Sequence, residues 1–241
     1  MKVRFKDQGG ATRIGSLEDG VIEAAGNEYS FQSIDILPPC KPSKIVCVGR
    51  NYAKHAEELG NEIPDRPLLF LKPPNAVAGH NDVITLPKGK EKVEHEAELA
   101  VVIGEQCRHI DKKDALNFVE GYTCLNDISN RDDQRKEKNW VRGKAFDGAA
   151  PIGPGITPLE KLPSDASIQS YVNGELRQDG SLDSLIFSIP ELIAEITTYL
   201  TLEPGDVIAT GTPEGVGLLS DGDRVTIEID GAEPLEHTVI Q

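Results

Sequence analysis

The stretch Val93 to Gly104 (VEHEAELAVVIG) constrains this chain most, because it loads three carboxylates onto what otherwise reads as a core strand. The β-branched run Val101, Val102, Ile103 and the closing Gly104 argue for a buried strand, along which side chains at i, i+2 and i+4 point to one face. Glu94, Glu96 and Glu98 therefore share a face, with neighbouring members roughly 6.5 to 7 Å apart at Cα. Two such carboxylates can converge on one ion and repel one another without it. Oxygen-only ligands suit Mg²⁺, Mn²⁺ or Ca²⁺ rather than a thiolate-binding metal. The alternative is an edge strand with a solvated acidic face, which is ordinary in half-exposed sheets. A second carboxylate source is needed to separate the two, and Asn126 to Asp133 (NDISNRDD) supplies one directly after the apolar run Tyr122 to Leu125.

The charge balance narrows the partners. A formal net charge of −15 and a pI near 4.8 oppose nucleic acid and anionic membrane surfaces. Cys40, Cys47, Cys107 and Cys124 show no CxxC spacing and favour reduced, buried thiols with no disulfide. The start MKVRFKDQGG lacks the apolar core of a signal peptide, and no apolar run approaches the roughly 20 residues that span a bilayer. A cytoplasmic protein is expected.

Residues 1–40 alternate short β-like pieces with Gly and polar turns and read as a small β-rich N-terminal domain. Leu37 to Pro42, rich in proline, reads as an extended linker to residues 41–241. Ile45 to Val48 is a short buried strand, after which Asn51 is placed to cap a helix over Tyr52 to Leu59 that Gly60 ends. His55 and Glu58 share a face of that helix; by residue type alone they are a solvated surface pair. Leu68 to Leu71 reads as a strand running into Lys72, which either faces a site or ends the strand in solvent. A helix is expected over Asp111 to Glu120, capped by Asp111 and stopped by Gly121. Another starts at the capping box Ser188 to Glu191 and runs to Glu203. The turn Thr210-Gly211-Thr212-Pro213 follows the strand Val207 to Ala209. Its glycine lets a backbone amide approach a ligand, and Thr212 is a candidate hydroxyl donor to an anion. Val225 to Ile229 and Leu235 to Ile240 form a closing hairpin. Strands outnumber helices without regular βαβ alternation, which gives a β-dominated α+β fold.

Five ordered blocks carry a family resemblance: GRNYAKHAEEL at Gly49, EAEL at Glu96, NDISNRD at Asn126, GKAFDGAAPIGP at Gly143 and TGTPEGVG at Thr210. Together they resemble the fumarylacetoacetate hydrolase family over roughly residues 41–241. The resemblance implies a mixed β-sandwich roll, a homodimer and a catalytic domain over 41–241. It implies Glu96, Glu98 and Asp127 as ligands of one divalent ion, Mg²⁺ or Mn²⁺ with Ca²⁺ as a substitute, and Glu94 behind them. It reverses the reading of His55 and Glu58, which in the family sit on a mobile segment and activate water. Lys144 matches a catalytic lysine directed at the substrate carboxylate. Arg131 and Gln134 match substrate-binding groups, Arg50 lies in a matching motif, and Lys72 lies in the family-like block FLKPPNAV.

The implied substrate is a small 2-oxo acid, whose carboxylate and 2-keto oxygen chelate the ion while an enolate forms at C3. Water delivered by His55 and Glu58 would cleave the C–C bond of an acylpyruvate or fumarylacetoacetate-like 2,4-dioxo acid. The same enolate serves oxaloacetate decarboxylation or tautomerisation and 2-hydroxyhepta-2,4-diene-1,7-dioate isomerisation. A non-catalytic 2-oxo-acid binding protein is the reading from another class, and the presence of both His55 and Glu58 speaks against it.

Overall fold

Both faces of the strand Ala97–Ile103 are covered, as its apolar composition requires. Leu99, Val101 and Ile103 enter one core, while Ala100 and Val102 enter a second core on the opposite face. The first core is shared with Ile168, Val225, Ile227 and Leu235, which come from another sheet, so the two sheets pack as a sandwich. A computed structural model gives this arrangement and describes residues 1–58, 60 and 63–241.

Among the described residues the large sheet holds twelve strands. At its centre Ala97–Ile103 lies between Val119–Asn126 and Val207–Ala209, both antiparallel to it. Val207–Ala209 then pairs parallel with Ile45–Gly49, which pairs antiparallel with Leu68–Lys72. The facing sheet has five strands, from Glu175–Ser181 through Ser167–Val172, Arg224–Ile229 and Leu235–Ile240 to Val83–Thr85. The fold is β-dominated α+β with mixed sheets, as expected.

The first 37 residues form the strands Lys2–Lys6, Thr12–Glu18, Val21–Ala24, Asn27–Ser30 and Asp35–Leu37. They enclose a small core of Val3, Phe5, Leu17, Ile22, Ala24 and Ile36. Lys2 and Val3 pair with Ile156 and Gly155, so this meander extends the large sheet.

Three local expectations need correction. The segment expected as a helix over Asp111 to Glu120 is a 3-10 stretch, Lys112–Phe118, and Asp111 makes no capping bond. Gly121 does not stop it. It lies inside Val119–Asn126, where a Cβ would stand 2.2 Å from the Thr157 carbonyl oxygen. The helix begun by Ser188, whose N–H donates to the Glu191 carboxylate at 2.9 Å, is Ile189–Tyr199 and ends four residues before Glu203. Asn51 does not cap the short helix Ala53–Glu58. Its Nδ2 donates to the carbonyls of Phe187 (3.0 Å) and Thr210 (2.8 Å), and its Oδ1 accepts from Phe187 N–H (2.7 Å). Leu59, expected to anchor that helix, lies outside the described residues.

All four cysteines are free and buried. No helix among the described residues is long and apolar enough to cross a membrane.

His237 is a pH-sensitive group of the interior between the sheets. His237 is buried, and burial first, then the nearby His95 and His80, push its imidazole down to about 3. An unfolded histidine titrates near pH 6.5, so the unfolded chain takes up this proton first. Its stabilising contribution is therefore complete above about pH 6.5 and declines as pH falls toward 3, by up to about 1.4 kcal/mol per pH unit. Chemical denaturation between pH 6.5 and 5 is expected to show a shallower loss of stability in His237→Gln than in the parent. An unchanged slope would remove His237 as the acid-sensitive group.

Candidate metal and active site

Strand register brings the carboxylates together. Ala97 pairs with Asn126 and Glu98 with Leu125. Continued one residue beyond Ala97, the register sets Glu96 against Asp127, whose N–H donates to the Glu96 carbonyl at 2.9 Å. The three acidic residues do not lie on one continuous strand as expected: Val93–His95 pairs elsewhere, with Ser129–Asn130 and Gly217–Leu218. The interruption falls at Glu96, whose N–H turns to the Asn126 side-chain oxygen at 2.9 Å. Glu94 consequently points at Arg131, at 2.7 Å, and belongs behind the cluster.

Glu96, Glu98 and Asp127 are buried, and one oxygen from each lies within 4.8 Å of the others. Glu96 is neutralised by Arg131 Nη2 at 2.5 Å and Lys144 Nζ at 2.7 Å. Lys144 also reaches Asp127 Oδ2 at 2.8 Å. Burial opposes charge on Glu96, but Arg131 and Lys144 outweigh it and hold that carboxyl far below the usual range. Glu98 makes no ion pair among the described residues and accepts the Gly211 N–H, at 2.9 Å. Burial, then the charges of Asp127 and Glu96, push the Glu98 carboxyl well above the usual range. Asp127 Oδ1 is buried without a hydrogen bond, although Lys72 Nζ stands 2.7 Å away outside bonding geometry. A buried carboxylate without an ion pair, a second carboxylate oxygen without a hydrogen bond and an all-oxygen donor set fit a hard divalent cation.

The triad faces a cavity of about 340 Å³, lined also by Arg50, His55, Arg131, Gln134, Lys144 and Thr212. This gathers seven of the eight residues expected outside the metal set to one place, counting Glu58 through its contact with His55. His55 is no solvated surface residue: only 4% exposed, it holds Nδ1 3.1 Å from Glu58 Oε2. Glu58 is anchored in turn, since its Oε1 accepts the Gly215 N–H at 3.1 Å. Arg131 Nη1 donates to Gln134 Oε1 at 2.8 Å. Thr210 turns its hydroxyl to the Leu99 carbonyl, leaving Thr212 as the cavity threonine. Gly211 between them has φ +101, and a Cβ there would stand 2.8 Å from Asn51 Cβ, so this close turn requires glycine.

Lys72 is the exception. It is fully buried behind Asp127 and donates to the carbonyls of Ile128 (3.2 Å), Lys144 (2.6 Å) and Ala149 (2.8 Å). An ammonium with three donors already engaged has none for a substrate, so Lys72 supports the Asp127 loop instead.

Leu68, Phe70, Arg135 and Trp140 also line the cavity and were not expected there from sequence. Phe70 and Trp140 meet edge-to-face at 5.4 Å, and Lys144 Nζ lies 5.0 Å from the Phe70 ring centroid. The lone Trp in a charged loop was the available signal.

Comparison with known proteins agrees with this geometry. Residues 44–240 match the family described as Fumarylacetoacetate (FAA) hydrolase C-terminal. The chain is 43% identical over 228 residues to oxaloacetate tautomerase YisK of Bacillus subtilis, covering 88% of this chain and 75% of that protein. It is similar to the crystal structure of 5-carboxymethyl-2-hydroxymuconate delta-isomerase from Mycobacterium smegmatis, with 40% identity, TM-score 0.91, and coverage of 100% of this chain and 98% of that one. Maleylpyruvate hydrolase from Sphingobium sp. SYK-6, solved with manganese(II) and pyruvate, gives 31% identity, TM-score 0.85, and coverage of 100% and 99%. With a family match across most of its length and the acidic triad in place, the chain belongs to the fumarylacetoacetate hydrolase family.

Proposed function

We propose that this chain is a divalent-metal-dependent hydrolase that cleaves the C–C bond of a small acylpyruvate or fumarylacetoacetate-like 2,4-dioxo acid. The observation that carries this reading is His55, buried on the same cavity as the acidic triad and held there by the more exposed Glu58. Glu96, Glu98 and Asp127 would hold one ion, Mg²⁺ or Mn²⁺. When bound, that ion supplies a chelating centre for a 2-oxo acid and stabilises negative charge developing on the oxo oxygen.

The chain's own groups do the rest. With Glu58 Oε2 accepting from His55 Nδ1–H, the lone pair sits on Nε2, which can take a proton from a water aimed at the 4-keto carbon. Glu58 fixes the ring and stabilises the imidazolium. Glu94, Glu96, Glu98 and Asp127 face Arg131, Lys144 and Lys72. A divalent ion therefore turns a site one negative charge in excess into one with a positive excess, suited to an organic acid. Arg50 and Arg135 add positive charge to the wall, while Phe70 and Trp140 offer apolar surface to the acyl group.

A second reading is supported by the similarity to the Bacillus tautomerase and the Mycobacterium isomerase. Tautomerisation, isomerisation or decarboxylation would use the same triad and Lys144 without the attacking water. A panel of acylpyruvates, oxaloacetate and hydroxy-dienoates assayed with Mg²⁺ and with Mn²⁺ separates the two. Pyruvate release from an acylpyruvate is the expected result, and turnover of oxaloacetate or hydroxy-dienoates alone would replace hydrolysis by the second reading.

A further inference from the structure

One buried amide on the facing sheet touches both halves of the site. Gln178, in Glu175–Ser181, is fully buried. Its Oε1 accepts the Ala97 N–H at 2.9 Å, between Glu96 and Glu98, and lies 3.2 Å from His95 Nδ1. Its Nε2 donates to Thr212 Oγ1 at 2.7 Å and to the Pro213 carbonyl at 2.8 Å. The amide can be oriented in only one way. Ala97 N–H can only donate and the Pro213 carbonyl can only accept, so the oxygen faces the strand interruption and the nitrogen faces the turn.

That orientation fixes a proton elsewhere. Both amide hydrogens are engaged, so Thr212 Oγ1 accepts from Gln178 and keeps its own O–H free to donate. A threonine hydroxyl is otherwise a rotor that can serve an anion or turn away from it. Thr212 lines the cavity that holds the triad.

We infer that Gln178 is a positioning residue that presets the Thr212 hydroxyl as a hydrogen-bond donor to the anionic end of a bound 2-oxo acid. The same amide ties the Glu96–Glu98 interruption to the turn that carries Thr212, so the metal ligands and the donor keep one spacing. The inference rests on the reading of the site as a metal-dependent 2-oxo-acid site.

The test uses the full-length chain loaded with Mn²⁺ and oxalate as probe, with both affinities measured by calorimetry. In Gln178→Glu, an ionised carboxylate accepts from Thr212. A protonated one gives its single proton to the Pro213 carbonyl and still accepts from Thr212. Either way the hydroxyl turns out of the cavity. Gln178→Glu and Thr212→Val are each expected to weaken oxalate about tenfold or more, the typical effect of losing a hydrogen bond to a charged group. The double variant should be no weaker than the worse single one, with Mn²⁺ affinity within a few-fold throughout. Multiplicative losses would mean that the new charge acts by repulsion and would overturn the inference. Parental oxalate affinity in Gln178→Glu, or a parallel fall in Mn²⁺ affinity, would do the same. Thr212→Ser tests the bond from its other end even if Gln178→Glu does not fold. Serine should restore oxalate binding where valine loses it, and equal binding by all three would overturn the inference. A parent protein that binds Mn²⁺ but not oxalate would instead remove the underlying functional reading, and this inference with it.

Discussion

Glu98→Ala is expected to abolish turnover and to weaken divalent-metal binding by on the order of tenfold or more. Glu98 is singled out because its surroundings offer no alternative neutralisation. Glu96 has Arg131 and Lys144, and Asp127 has Lys144 and Lys72, whereas Glu98 accepts one backbone N–H. Its raised carboxyl affinity for protons is the same conflict seen without an ion. The companion Glu98→Gln separates ligation from packing, because it keeps the shape and the bond from Gly211 while removing the repulsion with Asp127 and Glu96. That variant should match or exceed the parent's thermal stability in chelator, and should lose the rise in Tm that Mg²⁺ or Mn²⁺ gives the parent. An unchanged metal titration in Glu98→Ala would sink the ligand assignment.

His55→Ala should depress acylpyruvate hydrolysis by roughly 10² to 10⁴ while sparing the metal, the usual range for removing a general acid or base. His55 contacts no triad carboxylate through a hydrogen bond among the described residues; its ring is held by Glu58, which is held by Gly215. Glu58→Gln keeps a hydrogen bond to the ring but loses the charge that stabilises imidazolium, so a smaller loss in the same direction is expected. Steady-state hydrolysis and metal titration on the same preparations check both. Parental hydrolysis in both variants would exclude the pair from catalysis. Lost hydrolysis with retained oxaloacetate turnover would confine the pair to the water-dependent branch.

The acidic cluster was legible in part, because carboxylates entering a buried β-branched run repel one another unless a cation joins them, while the choice of Asp127 over Glu94 came from the family resemblance. Its geometry was less so. Alternation placed Glu94, Glu96 and Glu98 on one strand, but Asn126 and Gln178 take the Glu96 and Ala97 N–H groups and interrupt it there. Such side-chain acceptors arrive from strands distant in sequence and leave no local pattern. The same holds for Asn51, a plausible cap by type that instead bridges Phe187 and Thr210. Lys72 was ambiguous at a strand end, and only the fold shows three carbonyls converging on it. The error over Asp111 to Glu120 has another origin: apolar spacing fits a 3-10 stretch as well as an α-helix over so few residues, and pairing with Ala97–Ile103 claims Val119 and Gly121 for the sheet.

The functional reading commits to a bond and to the fate of a water oxygen. Metal-loaded protein supplied with acetylpyruvate in ¹⁸O-enriched water should release acetate carrying one ¹⁸O beyond what the 4-keto oxygen exchanges with solvent, together with pyruvate, by mass spectrometry of the quenched products. Acetylpyruvate left uncleaved by protein that does convert oxaloacetate or a hydroxy-dienoate would contradict water attack at the 4-keto carbon.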